Sequence, residues 1–324
     1  MQQNNLGHFG PVSRLTLGGG GIGQGWGAAS DADSVETLHR AVDAGIDLID
    51  TAPGYHNCER MIAKAFEGRL PQGVRITTKC GLGSPPAGEV YQRLRNSLEQ
   101  SLAAMLLPRV DIMLLHSEIR PDDFTYPNAE PPRDQRSTGL TLYREAVVPA
   151  FERLVQEGLI GAWGITGINL TDTTIAALSS GTRPVAVQAI TNLLDSAGAM
   201  NGTGISGNPR AVIAAAKANN VGVMGVRAVQ AGALTTGFDR ALPGEARPDQ
   251  SDFDRAASYR ALCRQWGADP AIVAHRYALG MDGVDTLVLG VKNVGELDQA
   301  LQAERLGPLE PEQVAAVDAL GLRA

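Results

Sequence analysis

The chain has 324 residues, 44% of them hydrophobic, and a formal net charge of -7. That apolar content can fill a barrel core, whereas the acidic balance argues against a nucleic-acid surface, which needs a concentrated basic patch. No segment approaches the roughly 18 uncharged apolar residues that span a membrane, and MQQNNLGHFG lacks the basic start and apolar stretch of a secretory signal, so a cytoplasmic protein is expected.

The residues through Arg14 are expected to form a short hairpin closing the bottom of a barrel, with Gly10 and Pro11 at its turn. Eight apolar runs of strand length follow: LTLGGG (15–20), DLIDT (47–51), VRITTK (74–79), VDIMLLH (110–116), GAWGIT (161–166), VAVQAI (185–190), VGVMGVR (221–227) and DTLVLG (285–290). Each precedes a segment of helical period, as in SVETLHRAVDAG, where Asp33 and Glu36 are expected to form a capping box. Parallel neighbours need a crossover, and eight such units close into a (β/α)₈ TIM barrel. Barrels of this kind exceed the usual domain length as one unit, so residues 1–324 are read as a single domain. Two long insertions are expected at the C-terminal face. Residues 117–141 are too Pro-rich and polar for a buried element and read as a lid over substrate; residues 231–252 read as a lid over cofactor.

Asp50, Tyr55, Lys79 and His116 each follow one of these runs, and strand ends are where a barrel gathers its chemistry. A phenol titrates near pH ~10 and is a poor acid unless its anion is stabilised, which a lysine in contact achieves. Lys79 stays charged in a dry pocket only beside an opposite charge, and Asp50 is the natural partner. His116 supplies a second donor to a substrate oxygen. The set suits carbonyl reduction, in which hydride reaches carbon while a phenol protonates oxygen; no side chain donates hydride, so a nicotinamide cofactor is implied.

With these motifs the chain resembles the aldo-keto reductase superfamily. The likeness runs through LGHFGPVSRLTLGGGGIG, GIDLIDTAPGYHNCERMIAKAF, TTKCG, DIMLLHSE, GLIGAWGITGIN, VQAITNLLD, GVRAVQAGAL and LVLGVKNVGELDQAL. It implies NAD(P)(H)-dependent interconversion of an aldehyde or ketone with an alcohol, without a metal, with Asp50, Tyr55, Lys79 and His116 as the tetrad and Tyr55 as general acid or base. It also implies that Thr166 and Gln188 hold the nicotinamide carboxamide, although Gly167 stands where an asparagine is usual. Val226 replaces the family's stacking aromatic, and Arg227 follows it within reach of the diphosphate. Gly290, Lys292 and Asn293 fall at the adenosine end. There Lys292 and Asn293 can reach a 2′-phosphate, while Glu296 replaces an arginine of NADPH-specific members and would accept from a ribose 2′-hydroxyl. NADP(H) is the family default and NAD(H) a close competitor.

GGGGIGQG (18–25) lacks the spacing of a phosphate loop and reads as backbone packed close to substrate, with Trp26 as an aromatic wall. His56, where the family commonly has glycine, is expected to send its ring into the substrate pocket. Glu59 is read as structural, and His8, His39 and His275 as surface or structural. Cys58, Cys80 and Cys263 read as reduced thiols rather than a disulfide framework or metal ligands. The expected partner is a small carbonyl compound or sugar such as an aldose, and the oligomeric state is not written in the sequence. Two rival readings are a cofactor-binding regulatory barrel with little turnover and a metal-dependent barrel hydrolase. The tetrad favours an enzyme over the first, and the second lacks its cluster of strand-end ligands.

Overall fold

The computed structural model describes residues 1–25, 29–127, 133–201, 204–238 and 248–323. The chain opens with an antiparallel hairpin, β1 (Gln3–Asn5) against β2 (Pro11–Ser13). Gly10 turns the chain at φ 105°, but Pro11 lies in β2 rather than in the turn. Its ring is tolerated there because the first residue of an edge strand need not donate to a ladder.

The strands then run β3 (Leu15–Gly18), β4 (Leu48–Asp50), β5 (Arg75–Cys80) and β6 (Val110–Leu115), followed by a short parallel pair, β7 (Glu118–Arg120) and β8 (Ser137–Gly139). Four more follow: β9 (Ile160–Thr166), β10 (Ala186–Ile190), β11 (Gly222–Val226) and β12 (Thr286–Leu289). All except the hairpin and the β7–β8 pair form one closed parallel barrel, completed where Leu287 and Leu289 of β12 register with Leu15 and Leu17 of β3. The eight apolar runs therefore mark the barrel strands. LTLGGG is the least exact, since Gly19 and Gly20 leave β3 for the helical turn Gly19–Ile22.

Leu6, in the hairpin loop, is fully buried and clusters with Val12, Leu48, Ile112, Leu114 and Met224. Gly222 admits it, because a Cβ there would lie 2.6 Å from the Leu6 side chain. A larger apolar cluster fills the layer between strands and helices, with Leu38, Ile62, Leu98 and Phe151 among its members. The helix Asp31–Asp43 is capped by Ser30, whose hydroxyl accepts from the Asp33 N–H while the Asp33 carboxylate accepts from the Ser30 N–H. The capping box is thus Ser30 with Asp33, one turn before the expected Asp33 with Glu36. Serine is as good a cap as aspartate, and the earlier start puts Asp31 and Asp33 in the first turn, where the helix dipole favours acid.

Residues 117–141 contradict the expectation that a polar, Pro-rich stretch stays unburied. Ile119, Arg120, Tyr126, Ser137 and Thr138 are buried. All but the Arg120 Nε among these side-chain groups find partners: Arg120 donates from its terminal nitrogens to the carbonyls of Pro121 and Asp122 and to Asp134, Ser137 to the Arg133 carbonyl, Thr138 to the Gly83 carbonyl and Tyr126 to Glu118. A buried polar group that is hydrogen-bonded costs little. In the 231–252 insertion the helix Pro248–Arg255 docks through buried Asp249 and Asp252; residues 239–247 lie outside the described residues. Among the described residues no helix is long and apolar enough to cross a membrane.

Candidate active site

The four residues that follow their strands meet at the barrel mouth. Asp50 ends β4, Lys79 is the penultimate residue of β5, His116 directly follows β6, and Tyr55 comes from the loop after β4. Lys79 is completely buried, with its Nζ 2.7 Å from Asp50 Oδ2 and donating to the Thr51 carbonyl at 2.9 Å. The other Asp50 oxygen accepts from Thr77 at 2.6 Å and from the Gln188 amide at 2.7 Å. A buried ion pair survives only when its remaining lone pairs and protons are satisfied, and here Asp50 is held by three side-chain donors.

The Lys79 Nζ lies 4.6 Å from the centroid of the Tyr55 ring. Burial alone would push the ammonium down, but Asp50 and Tyr55 outweigh it and hold its pKa above the ordinary value. Burial raises the Tyr55 phenol, and Lys79 pulls it part of the way back. The phenol is therefore protonated at neutral pH yet carries a cation able to stabilise its anion. His116 meets Tyr55 edge to face with centroids 5.9 Å apart. Burial, reinforced by the Lys79 charge, lowers its pKa to about 4, so the imidazole is neutral and keeps one N–H to donate.

Tyr55 and His116 open into a cavity of about 940 Å³ that extends to Lys292 and Glu296. Asp50, Thr166, Gln188, Arg227, Gly290, Lys292 and Glu296 line it, as does Val226. Thr166 donates to the Leu115 carbonyl at 3.2 Å. Arg227, at φ 62°, pairs with the buried Asp249 and donates from Nε to Gln230 at 2.9 Å. Asn293 is not among the lining residues; its side-chain oxygen caps the helix Val294–Leu306, accepting from the Glu296 N–H at 3.0 Å.

His56 departs from its expected place. It is exposed, is not among the cavity-lining residues, and sits against Gly25, whose Cβ would lie 2.9 Å from the imidazole. Its φ of 49° is left-handed, a backbone conformation that favours glycine. Trp26 lies outside the described residues. Glu59 is buried and accepts from Thr78 at 2.9 Å, and the three cysteines are free and buried. His8 and His39 are exposed.

Several lining residues escaped sequence reasoning. Glu118, Tyr126 and Asn169 are joined by hydrogen bonds at the cavity wall. Asn169 had a readable signal, an asparagine three residues past the end of β9, where Gly167 had seemed to leave the site without an amide. His275 is buried, donates to the Ala271 carbonyl at 2.8 Å, and also lines the cavity; burial lowers its pKa to about 4.

The Aldo/keto reductase family profile matches residues 14–321. The L-galactose dehydrogenase of Arabidopsis thaliana is 25% identical over 326 aligned residues, covering 95% of this chain and 90% of that protein. An NADH-specific methylglyoxal reductase of Escherichia coli is 29% identical over a shorter span, 35% of this chain and 41% of that protein. Among solved structures, the holo form of aldo-keto reductase AKR11C1 from Bacillus halodurans superposes with a TM-score of 0.72 at 21% identity, covering 99% and 96% of the two chains. The glycerol dehydrogenase AKR11B4 from Gluconobacter oxydans gives 0.68 at 22%, covering 98% and 94%. With a family profile spanning almost its whole length and a closed parallel barrel of the same kind, the chain belongs to the aldo/keto reductase family of NAD(P)-dependent oxidoreductases.

Proposed function

We propose that the protein interconverts an aldehyde or ketone, aldoses included, with the corresponding alcohol, using Tyr55 as general acid in reduction and general base in oxidation. The observation that carries this reading is the buried Lys79–Asp50 pair lying against the Tyr55 ring at the floor of the cavity. The cavity suits the family's cofactor. Its volume lies at the upper end of ordinary ligand sites, and its walls offer Thr166 and Gln188 at the tetrad end and the cations Arg227 and Lys292 towards the other. Thr166 and Gln188 would hold the nicotinamide, Arg227 the diphosphate, and Gly290, Lys292, Asn293 and Glu296 the adenosine end. When bound, the cofactor supplies or takes up the hydride.

The chain's own residues handle the proton. Tyr55 gives its hydroxyl proton to the carbonyl oxygen, and the Lys79 ammonium offsets the charge left on the phenolate. Neutral His116 donates its N–H to the same oxygen and does not compete for the proton. Asp50 keeps Lys79 charged, and Gln188 fixes Asp50. NADP(H) is retained as the default cofactor. Glu296 opposes a 2′-phosphate and makes NAD(H) its competitor. The sugar dehydrogenase and glycerol dehydrogenase named above favour polyhydroxylated substrates over purely apolar ones.

The test is a panel of aldoses, aldehydes and ketones assayed with NADH and with NADPH, for the natural chain and Tyr55→Phe. Loss of at least ~10²-fold in kcat with nearly unchanged cofactor affinity is expected of a missing general acid. Full activity in Tyr55→Phe would remove Tyr55 from the mechanism.

A further inference from the structure

Two residues beyond His116 a carboxylate enters the cavity wall. Glu118 lines the cavity together with Tyr55, His116, Tyr126, Arg136 and Asn169. One of its oxygens accepts from the Asn169 amide, the other from the Tyr126 hydroxyl at 3.2 Å. Asn169 is itself buried, and with its amide committed to Glu118 and to the Met200 carbonyl at 3.2 Å, its own Oδ1 is buried without a partner. Leaving a buried acceptor unpaired is unfavourable, so packing alone is a poor reason for an asparagine here. Holding Glu118 in a fixed orientation is a better one.

Burial pushes the Glu118 carboxyl up, and Asn169, Tyr126 and Arg136 pull it only part of the way back. The Arg136 guanidinium lies 5.3 Å from the centroid of the Tyr126 ring. An ionised carboxylate offers about four lone-pair sites and no donor. Two of those sites are filled by protein donors, so a ligand beside Glu118 gains by bringing hydroxyl groups and loses by bringing a second carboxylate.

We propose that Glu118 is the specificity-determining residue of this pocket, accepting from a hydroxyl carried next to the reacting carbonyl. Neutral hydroxyaldehydes and hydroxyketones are thereby favoured, and carbonyl compounds bearing a carboxylate are disfavoured. The proposal rests on the carbonyl-reducing reading above. Asn169 and Tyr126 are positioning residues that act through Glu118.

The experiment compares glyceraldehyde, propanal and succinic semialdehyde at saturating cofactor for the natural chain, Glu118→Gln and Tyr126→Phe. Glu118→Gln should lose at least about tenfold in kcat/KM for glyceraldehyde, mainly through KM, as expected for a hydrogen bond to a charged acceptor. Propanal should change little and succinic semialdehyde should improve. Tyr126→Phe should move the same ratios less far. Equal losses for propanal and glyceraldehyde would overturn the proposal, as would a natural preference for succinic semialdehyde, which would hand recognition to Arg136. Calorimetric titration of erythritol and 1-butanol into the protein loaded with reduced cofactor, which cannot accept hydride from an alcohol, repeats the comparison without turnover. Tighter binding of erythritol that Glu118→Gln abolishes supports the assignment, and no preference in the natural chain defeats it. Tyr55→Phe separates the two readings: if it leaves every turnover intact, the assignment of Tyr55 falls, while the erythritol comparison still decides on Glu118.

Discussion

The Lys292 ammonium lies 3.2 Å from one oxygen of Glu296, and the Lys292 backbone N–H donates to the other at 2.9 Å. The cation that would welcome a 2′-phosphate and the anion that would repel it are therefore one pair at the foot of the helix Val294–Leu306. Glu296→Arg should shift the NADPH to NADH ratio of kcat/KM towards NADPH by at least about tenfold, because it removes repulsion and adds a charge-assisted partner. Lys292→Ala should shift it the other way. Since the two side chains touch, their effects should not add in the double variant. Both cofactors must be assayed at fixed ionic strength, because exposed phosphate contacts are screened by salt. A ratio that neither variant moves would mean that the end of β12 does not read the 2′ position.

Lys79→Met should lower kcat by an amount similar to the ~10²-fold lost with a general acid. The sign of the accompanying pH effect is set by the site: Lys79 pulls the Tyr55 phenol down, so removing it lets burial raise the phenol further. Alcohol oxidation needs the phenolate, and its acidic limb should move to higher pH. The measurement is the pH profile of oxidation. An unchanged profile contradicts the coupling.

His116 and His275 are both held near about 4, below the ordinary histidine value of 6.5. Between those values the unfolded chain binds more protons than the folded one, so stability is present above pH ~6.5 and is lost as pH falls towards ~4. Each histidine should cost about 2 kcal/mol between about pH 7 and pH 5. His275→Leu should remove its share of that loss, read as a smaller drop in urea midpoint between the two pH values. The same drop in both proteins would show that His275 does not titrate this way.

Arg120 braces the loop after β6 from within, donating to the Pro121 and Asp122 carbonyls and to Asp134, and reaches Ser84 beyond the loop at 3.4 Å. Arg120→Ala should destabilise by roughly 1–3 kcal/mol through its abandoned carbonyls. Because Glu118 and Tyr126 flank it in the same loop, KM for a polyhydroxylated substrate should also rise while cofactor affinity holds. Thermal denaturation and cofactor titration check the two halves, and a rise in KM without loss of Tm would sever the link between loop anchoring and stability.

The barrel strands and the convergence of Asp50, Tyr55, Lys79 and His116 were legible in the sequence because both depend on short-range order. An apolar run such as VDIMLLH is buried wherever it pairs, and the residue that ends it, His116, must emerge at the same end of the barrel as Asp50 and Lys79. The capping box of the helix Asp31–Asp43 was displaced by one turn because Ser30 and Asp33 are equally competent caps and only packing chooses between them. Other features had no local signal at all. That Gln188 on β10 donates to Asp50 on β4, 138 residues away, follows from closure of the barrel. Likewise the loop after β6 is tied down where Thr138 meets the Gly83 carbonyl, 55 residues away, and Glu118 is held at the cavity wall because Asn169, 51 residues away, joins Tyr126 of the same loop in closing on it. Hydrophobic period and strand-end chemistry are properties of a short window of chain, so the sequence determines them alone. Which donor satisfies which buried acceptor is decided only when distant segments are brought within hydrogen-bond range, and in this protein that decision shapes the pocket around the tetrad.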